Sequence, residues 1–203
     1  MSNSIVLSAN YLPPVSYFHV IAQQDSPIVI DGYEHFIKQT YRSRTAIGTA
    51  SGTLDLIVPV QHGRRERVAM KDVRINADHD WQRLHWKSIQ TAYRGSAYFE
   101  YYEDDFADFY DKKFDFLFDF NVQQLELVLK LLKLKPTVLF SDRYVAVEND
   151  TMDFRTLIHP KKPSLYAAPK PYYQVFEERM GFMPNLSIVD LIFNQGPQSK
   201  NYL

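Results

Sequence analysis

The chain has 203 residues, 45% of them hydrophobic and 23% charged, with a formal net charge of −1, which is enough apolar content to bury a full core as one domain over 1–203. Near-neutral charge excludes nucleic acid and an anionic membrane surface as the main partner, because both demand a basic excess. The absence of cysteine rules out a disulfide framework, a thiolate metal site and cysteine catalysis, and fits a cytosolic protein. The opening residues lack a signal-peptide pattern, and no apolar run reaches the ~20 residues that cross a bilayer. The expectation is therefore a cytoplasmic chain with no integral membrane segment.

Residues 5–9 form a short apolar run of strand length, and Pro13 and Pro14 turn the chain into a helix over 15–23. Residues 27–31 read as a second strand, buried on both faces because its apolar residues do not alternate. Such a strand-helix-strand unit pairs in parallel and gathers ligands at the carboxyl ends of its strands, here Asn10, Tyr11 and Asp31. Its first turn lacks the Gly-rich dinucleotide pattern, so no nicotinamide or flavin cofactor is expected.

A basic, aromatic segment follows, from His35 through Lys38 and Tyr41 to Arg44. Read as a strand, 40–47 places Arg42 and Arg44 on one face by period-two alternation. Two neighbouring guanidiniums suit a phosphate or carboxylate, or else mark a solvated sheet face. Gly48 and Gly52 form a hairpin turn, with 54–60 as the returning strand. The loop over 61–67 holds Arg64, Arg65 and Arg67, which either grip a phosphate or are simply solvated. Residues 68–75 read as another strand.

Both tryptophans fall in a helix over 80–94, capped by Asp78 or Asp80 and ended by Gly95. Trp81, His85, Ile89, Ala92 and Tyr93 share one stripe, opposite Arg83, Lys87, Gln90 and Arg94. His85 is the one titratable group on the apolar stripe. Residues 96–113 mix aromatics, among them Tyr98 and Tyr101, with an acidic run that reads as a wet helical face rather than a metal site. Residues 114–134 are apolar nearly all round, as in a central packing helix, and 137–140 is the strand after that crossover. A short helix over 153–158 leads to His159 and a proline-rich stretch, 160–171, read as a flap. Residues 172–180 read as a helix stopped by Gly181, and Ser187 caps a last helix running to Phe193. The order gives an α/β fold: a mixed, mostly parallel sheet flanked by helices, with the strand-helix-strand unit at its start and one antiparallel hairpin.

No Walker phosphate loop, Gly-x-Ser-x-Gly elbow, His-Glu-x-x-His zinc helix or kinase signature is present. His79 and His85 are six apart and point to different sides of a helix, so no metal site is expected. What remains is His19, His35, His62, His85 and His159 beside Asn10, Asp31, Asn185, Asp190 and Asn194. A lone histidine is more often a hydrogen-bonded structural group than a catalyst, although its unperturbed pKa of ~6.5 makes it the usual general base.

Spaced words run from end to end: Tyr11-Leu12-Pro13-Pro14 with Tyr17-Phe18, Asp31, His35-Phe36-x-Lys38, Tyr41-Arg42-x-Arg44, Val58-Pro59-Val60, Asp72-Val73-Arg74-Ile75, Trp81-x-x-x-His85-Trp86, Tyr98-Phe99-x-Tyr101, and Leu186-Ser187-Ile188-x-Asp190-Leu191-x-Phe193-Asn194-x-Gly196-Pro197. Together they resemble the WbqC-like protein family. The resemblance implies a bacterial protein of surface-polysaccharide or O-antigen gene clusters, with an amino-acid (glycine-type) transferase role. Longer relatives carry Tyr-Leu-Pro-Trp where this chain has Pro14, and a Ser-Gly-Pro-containing segment before the final third that is absent here.

Two functions from different classes follow. In the first, a cytosolic transferase moves an acyl or aminoacyl group onto an amino sugar or its nucleotide-linked form. There His85 is the base, Asp31 or Asn194 orients it, and Arg42 and Arg44 hold phosphate or carboxylate in the same pocket. Trp86, Tyr17 or Tyr101 stack on a sugar or base, and Asn10, Tyr11, Lys38 and His159 complete the binding residues. No cofactor is implied, so positioning supplies much of the rate. In the second, the same pocket binds a sugar nucleotide or glycan precursor without turnover, as an accessory subunit of a biosynthetic complex or a homodimer.

Overall fold

The computed structural model of the chain describes residues 4–61, 67–78, 80–147, 152–163 and 170–203. Its centre is a parallel sheet of four very short strands. β1 (Ile5–Leu7) leads through helix α1 (Val15–Ala22) to β2 (Ile28–Ile30), which pairs with β1 in parallel as the unbroken apolar runs predict. Further along come the antiparallel hairpin β3 (Arg44–Thr49) and β4 (Gly52–Ile57), the small pair β5 (Val60–Gln61) and β6 (Arg74–Ile75), and the helices α2 (Trp81–Tyr93), α3 (Phe99–Asp111) and α4 (Leu117–Leu131). The chain then adds β7 (Val138–Phe140) beside β2 and β8 (Met152–Asp153) beside β1, giving the order β7-β2-β1-β8 with every pairing parallel. A single-turn helix α5 (Glu177–Met180) precedes α6 (Ile188–Gln195) and a closing 3-10 turn, Gly196–Tyr202.

Core positions follow the helical periods. The α2 stripe of Trp81, His85, Ile89, Ala92 and Tyr93 is the buried face of that helix. α4 buries Leu117, Phe120, Leu125, Val128 and Leu129 but leaves Asp119, Glu126 and Lys130 in solvent, so its cover is one-sided rather than complete. Far-separated segments close the fold. Val15 N–H donates to the Leu186 carbonyl (3.0 Å), Ile188 N–H to Pro13 (2.9 Å) and Ser187 N–H to Ala46 (2.8 Å), so residues 186–188 knit the first helix to the hairpin. Gly196, at φ +50°, has no room for a side chain, because a Cβ there would run into the Tyr98 ring.

Several local expectations differ from what forms. The strand expected over 40–47 starts only at Arg44 and runs to Thr49, because the chain turns through 38–43. Residues 68–75 hold a 3-10 turn (Met70–Asp72) and two strand residues rather than one strand. The helix expected at 153–158 is instead the end of β8 followed by turns, and 172–180 is helical only in α5. Neither Asp80 nor Ser187 caps with its side chain: the Asp80 carboxylate pairs with Arg83, and the Ser187 hydroxyl donates to the Leu12 carbonyl (3.0 Å). Most of the arginine-rich loop, and residues 164–169 of the flap, lie outside the described residues.

Candidate functional site

Four parallel strands end on the same side, so the residues just past them meet at one edge. Asp31 follows β2 and is fully buried. One of its carboxylate oxygens accepts from Tyr33 N–H (2.9 Å) and the Ser141 hydroxyl past β7 (2.9 Å); the other accepts from Val145 N–H (3.3 Å) and the Arg155 guanidinium past β8. Arg155 also grips Asp153 in a two-point pair, Nε to Oδ1 at 3.0 Å and Nη2 to Oδ2 at 2.8 Å. A second arginine sits behind the first. Arg42 pairs in the same forked way with Glu34, donates to Thr40 Oγ1 (3.2 Å), and reaches the Arg155 carbonyl (3.3 Å).

Three carboxylates and two guanidiniums therefore form one cluster of formal charge −1, with only Asp153 partly exposed. Burial works against the charge on Asp153, yet the Arg155 hydrogen bonds hold its pKa below the ordinary carboxylate value. At Glu34 burial wins over Arg42, and the pKa is raised. Arg155 is itself opposed by burial, but Asp153 keeps its proton more firmly held than usual.

The rim of this edge is polar and aromatic. The Tyr144 ring covers the Arg155 guanidinium at 4.9 Å and is 56% exposed. His159 accepts the Lys161 N–H on Nδ1 (3.0 Å), which leaves its proton on Nε2, facing away. Burial first, then Lys162, Lys161 and Arg42, lower its pKa, so the ring is neutral near pH 7. Lys161 Nζ ties this loop to the Gln39 side chain (2.9 Å), next to exposed Lys38, and Lys162 Nζ donates to the Thr156 carbonyl (2.8 Å).

The other sequence-predicted residues lie elsewhere. His85 is 7% exposed: it shares a hydrogen bond with the Tyr11 hydroxyl (3.0 Å) and donates to the Ile57 carbonyl, while the Trp81 ring meets it edge-on. The carbonyl accepts only, so Tyr11 donates to His85 and in turn bonds Tyr110 (2.9 Å). Burial lowers the His85 pKa to about 4, so the ring is neutral with both nitrogens occupied. Among the described residues it shares no partner with Asp31. Arg44 pairs with Asp55 across the hairpin (3.3 Å), so the two arginines are not side by side: Arg42 precedes the strand and is spent inside.

Tyr17 is buried with its hydroxyl on the Ser8 carbonyl (2.9 Å), and Trp86 stacks on Tyr110 at 5.4 Å within the aromatic core. Tyr101 is exposed on α3, against Tyr102. Asn10 and Asn194 are buried, the latter donating to the Asp190 carbonyl (2.8 Å). Glu34, Ser141, Asp153 and Arg155 escaped sequence reasoning. Only Asp153-Phe154-Arg155 carried a local signal, two opposite charges alternating with an apolar residue. Among the described residues no group of histidine and carboxylate side chains is arranged to hold a metal ion, and no helix is long and apolar enough to cross a membrane.

The model of the WbqC-like protein family matches residues 9–162. An uncharacterized protein of Mycobacterium tuberculosis is 25% identical over 228 aligned residues, which cover 100% of this chain and 98% of the relative. No solved structure matches.

Proposed function

We propose that this chain, which belongs to the WbqC-like protein family, binds a sugar nucleotide or related glycan precursor over the carboxyl edge of its sheet, as an accessory protein of surface-polysaccharide biosynthesis. One observation carries the reading. The groups best placed for base catalysis are internally spent, Asp31 on four donors and His85 on two partners, whereas the rim keeps donors and a ring face free. An exposed Tyr144 offers a stacking surface for a base. His159 Nε2–H and the ammoniums of Lys161 and Lys162, each with two donors to spare, suit a diphosphate. Asp153, partly exposed, accepts from sugar hydroxyls.

The second reading, acyl or aminoacyl transfer, keeps one observation in its favour: burial raises the proton affinity of Glu34, and a carboxyl so tuned can exchange a proton once a ligand opens the Arg42 pair. A thermal-shift and calorimetric panel of uridine and thymidine diphosphate sugars tests the binding. A raised melting point that Lys161→Ala with Lys162→Ala abolishes supports it, and no shift across the panel sinks it. Mass spectrometry of a bound amino sugar incubated with activated glycine separates the readings: a glycyl adduct replaces the accessory role with transfer.

A further inference from the structure

We propose a second ligand site, independent of the carboxyl edge: the groove between the β3–β4 hairpin and α2 takes a single anionic amphiphile, its alkyl or prenyl tail in the groove and its phosphate or carboxylate head on Lys87. The groove is open to solvent and has a volume of about 530 Å³, within the several hundred Å³ typical of small-molecule sites. Leu54 of β4, Leu84 of α2 and Phe176 form its walls. The two leucines face it 40% and 54% exposed, an apolar surface that has no cover among the described residues.

The α2 side of the groove is less polar than its sequence reads. Ser88 donates its hydroxyl to the Leu84 carbonyl (2.9 Å) and Thr91 donates to the Lys87 carbonyl (2.7 Å), so both protons are turned back onto the helix and carbon faces the groove. Lys87 is the one charged side chain lining it, and its ammonium makes no ion pair among the described residues. A trough of carbon with one unpaired cation complements a tail bearing one negative charge. It offers a sugar nucleotide little to bond, and it repels a cationic amphiphile. The occupant is a free monomeric amphiphile, because a groove recessed between two elements takes one chain lengthwise whereas a bilayer needs a protruding surface.

Isothermal titration of the whole chain with hexyl, octyl, decyl and dodecyl phosphate, each below its critical micelle concentration, tests this. The affinity should rise about fourfold per added methylene until the groove is full. Dodecyltrimethylammonium should bind at least tenfold more weakly than dodecyl phosphate, and Lys87→Glu should invert that preference. Leu84→Asp should weaken dodecyl phosphate at least tenfold. Both positions are exposed, so circular dichroism and the melting point of each variant should match those of the parent. Affinity that ignores chain length, or is indifferent to Lys87→Glu, overturns the site. Binding to phosphatidylglycerol vesicles without binding of monomers also overturns it, in favour of a membrane contact.

Discussion

Two of the buried polar networks in this molecule are built on opposite principles. At the carboxyl edge, Asp31, Asp153 and Glu34 each pair with Arg155 or Arg42, beside the exposed Tyr144 ring. Around α2, His85, Tyr11 and Tyr110 form a neutral chain enclosed by Trp81 and Phe120. The first network tolerates charge because every ion has a partner; the second excludes charge because none is available. A titratable residue on an aromatic stripe is dehydrated by the very pattern that makes it conspicuous. Ligand chemistry needs groups near a surface, and of these two networks the edge is the one that supplies them.

The sharpest break of this contrast is Arg155→Leu. It strands Asp31 and Asp153 without their cation, and removing one partner of a buried pair costs about 3–5 kcal/mol. Urea unfolding at pH 7 measures it. A loss below about 1 kcal/mol would mean that the cluster is not a unit.

The neutral network has a pH signature instead. The folded pKa of His85 is depressed to about 4, below its value in the unfolded chain, so the unfolded state takes up a proton first as pH falls. Stability from this group is therefore intact above about pH 6.5 and declines towards pH 4, by about 3 kcal/mol in all. His85→Gln should be less stable than the parent at pH 7 but should lose that share of the acid slope. Parallel slopes for the two proteins between pH 6.5 and 4 would show that the ring is charged in the folded state.

Tyr144→Ala should separate ligand binding from stability. Its ring is exposed, so unfolding should change little, while a stacked base should lose about 1–3 kcal/mol of affinity in calorimetry. An unchanged Kd for a binding sugar nucleotide would remove the stacking role. The smallest effect belongs to Asp55→Ala. Its pair with Arg44 spans the hairpin in water, and its loss should cost no more than about 0.5 kcal/mol by urea unfolding.

The sequence displays the parallel unit clearly because Ile5–Leu7 and Ile28–Ile30 are unbroken apolar runs joined by a proline-opened helix. The α2 stripe is legible for a similar reason: thirteen residues give the helical period room to show. β8 was not, since two residues carry no periodicity and only their pairing with Ile5 and Val6 makes them a strand. Arg42 misled because alternation presumes a strand, and the chain there still turns. Arg155 lies 124 positions from Asp31, so no local pattern could have joined them. The shared direction of the strands brings such distant residues together, and that direction is a property of pairing.

The knot of residues 186–188 with Pro13, Val15 and Ala46 also sets the order of events during synthesis. Ser187 and its acceptor, the Leu12 carbonyl, stand 175 positions apart. At ribosomal speeds of ~5–20 residues per second, the first helix waits on the order of ten seconds or more for its backbone partners. Until then the apolar side of that helix stays uncovered, a surface suited to holding chaperones. A chain truncated before Leu186 would be a product that proteases clear rather than a weakened protein.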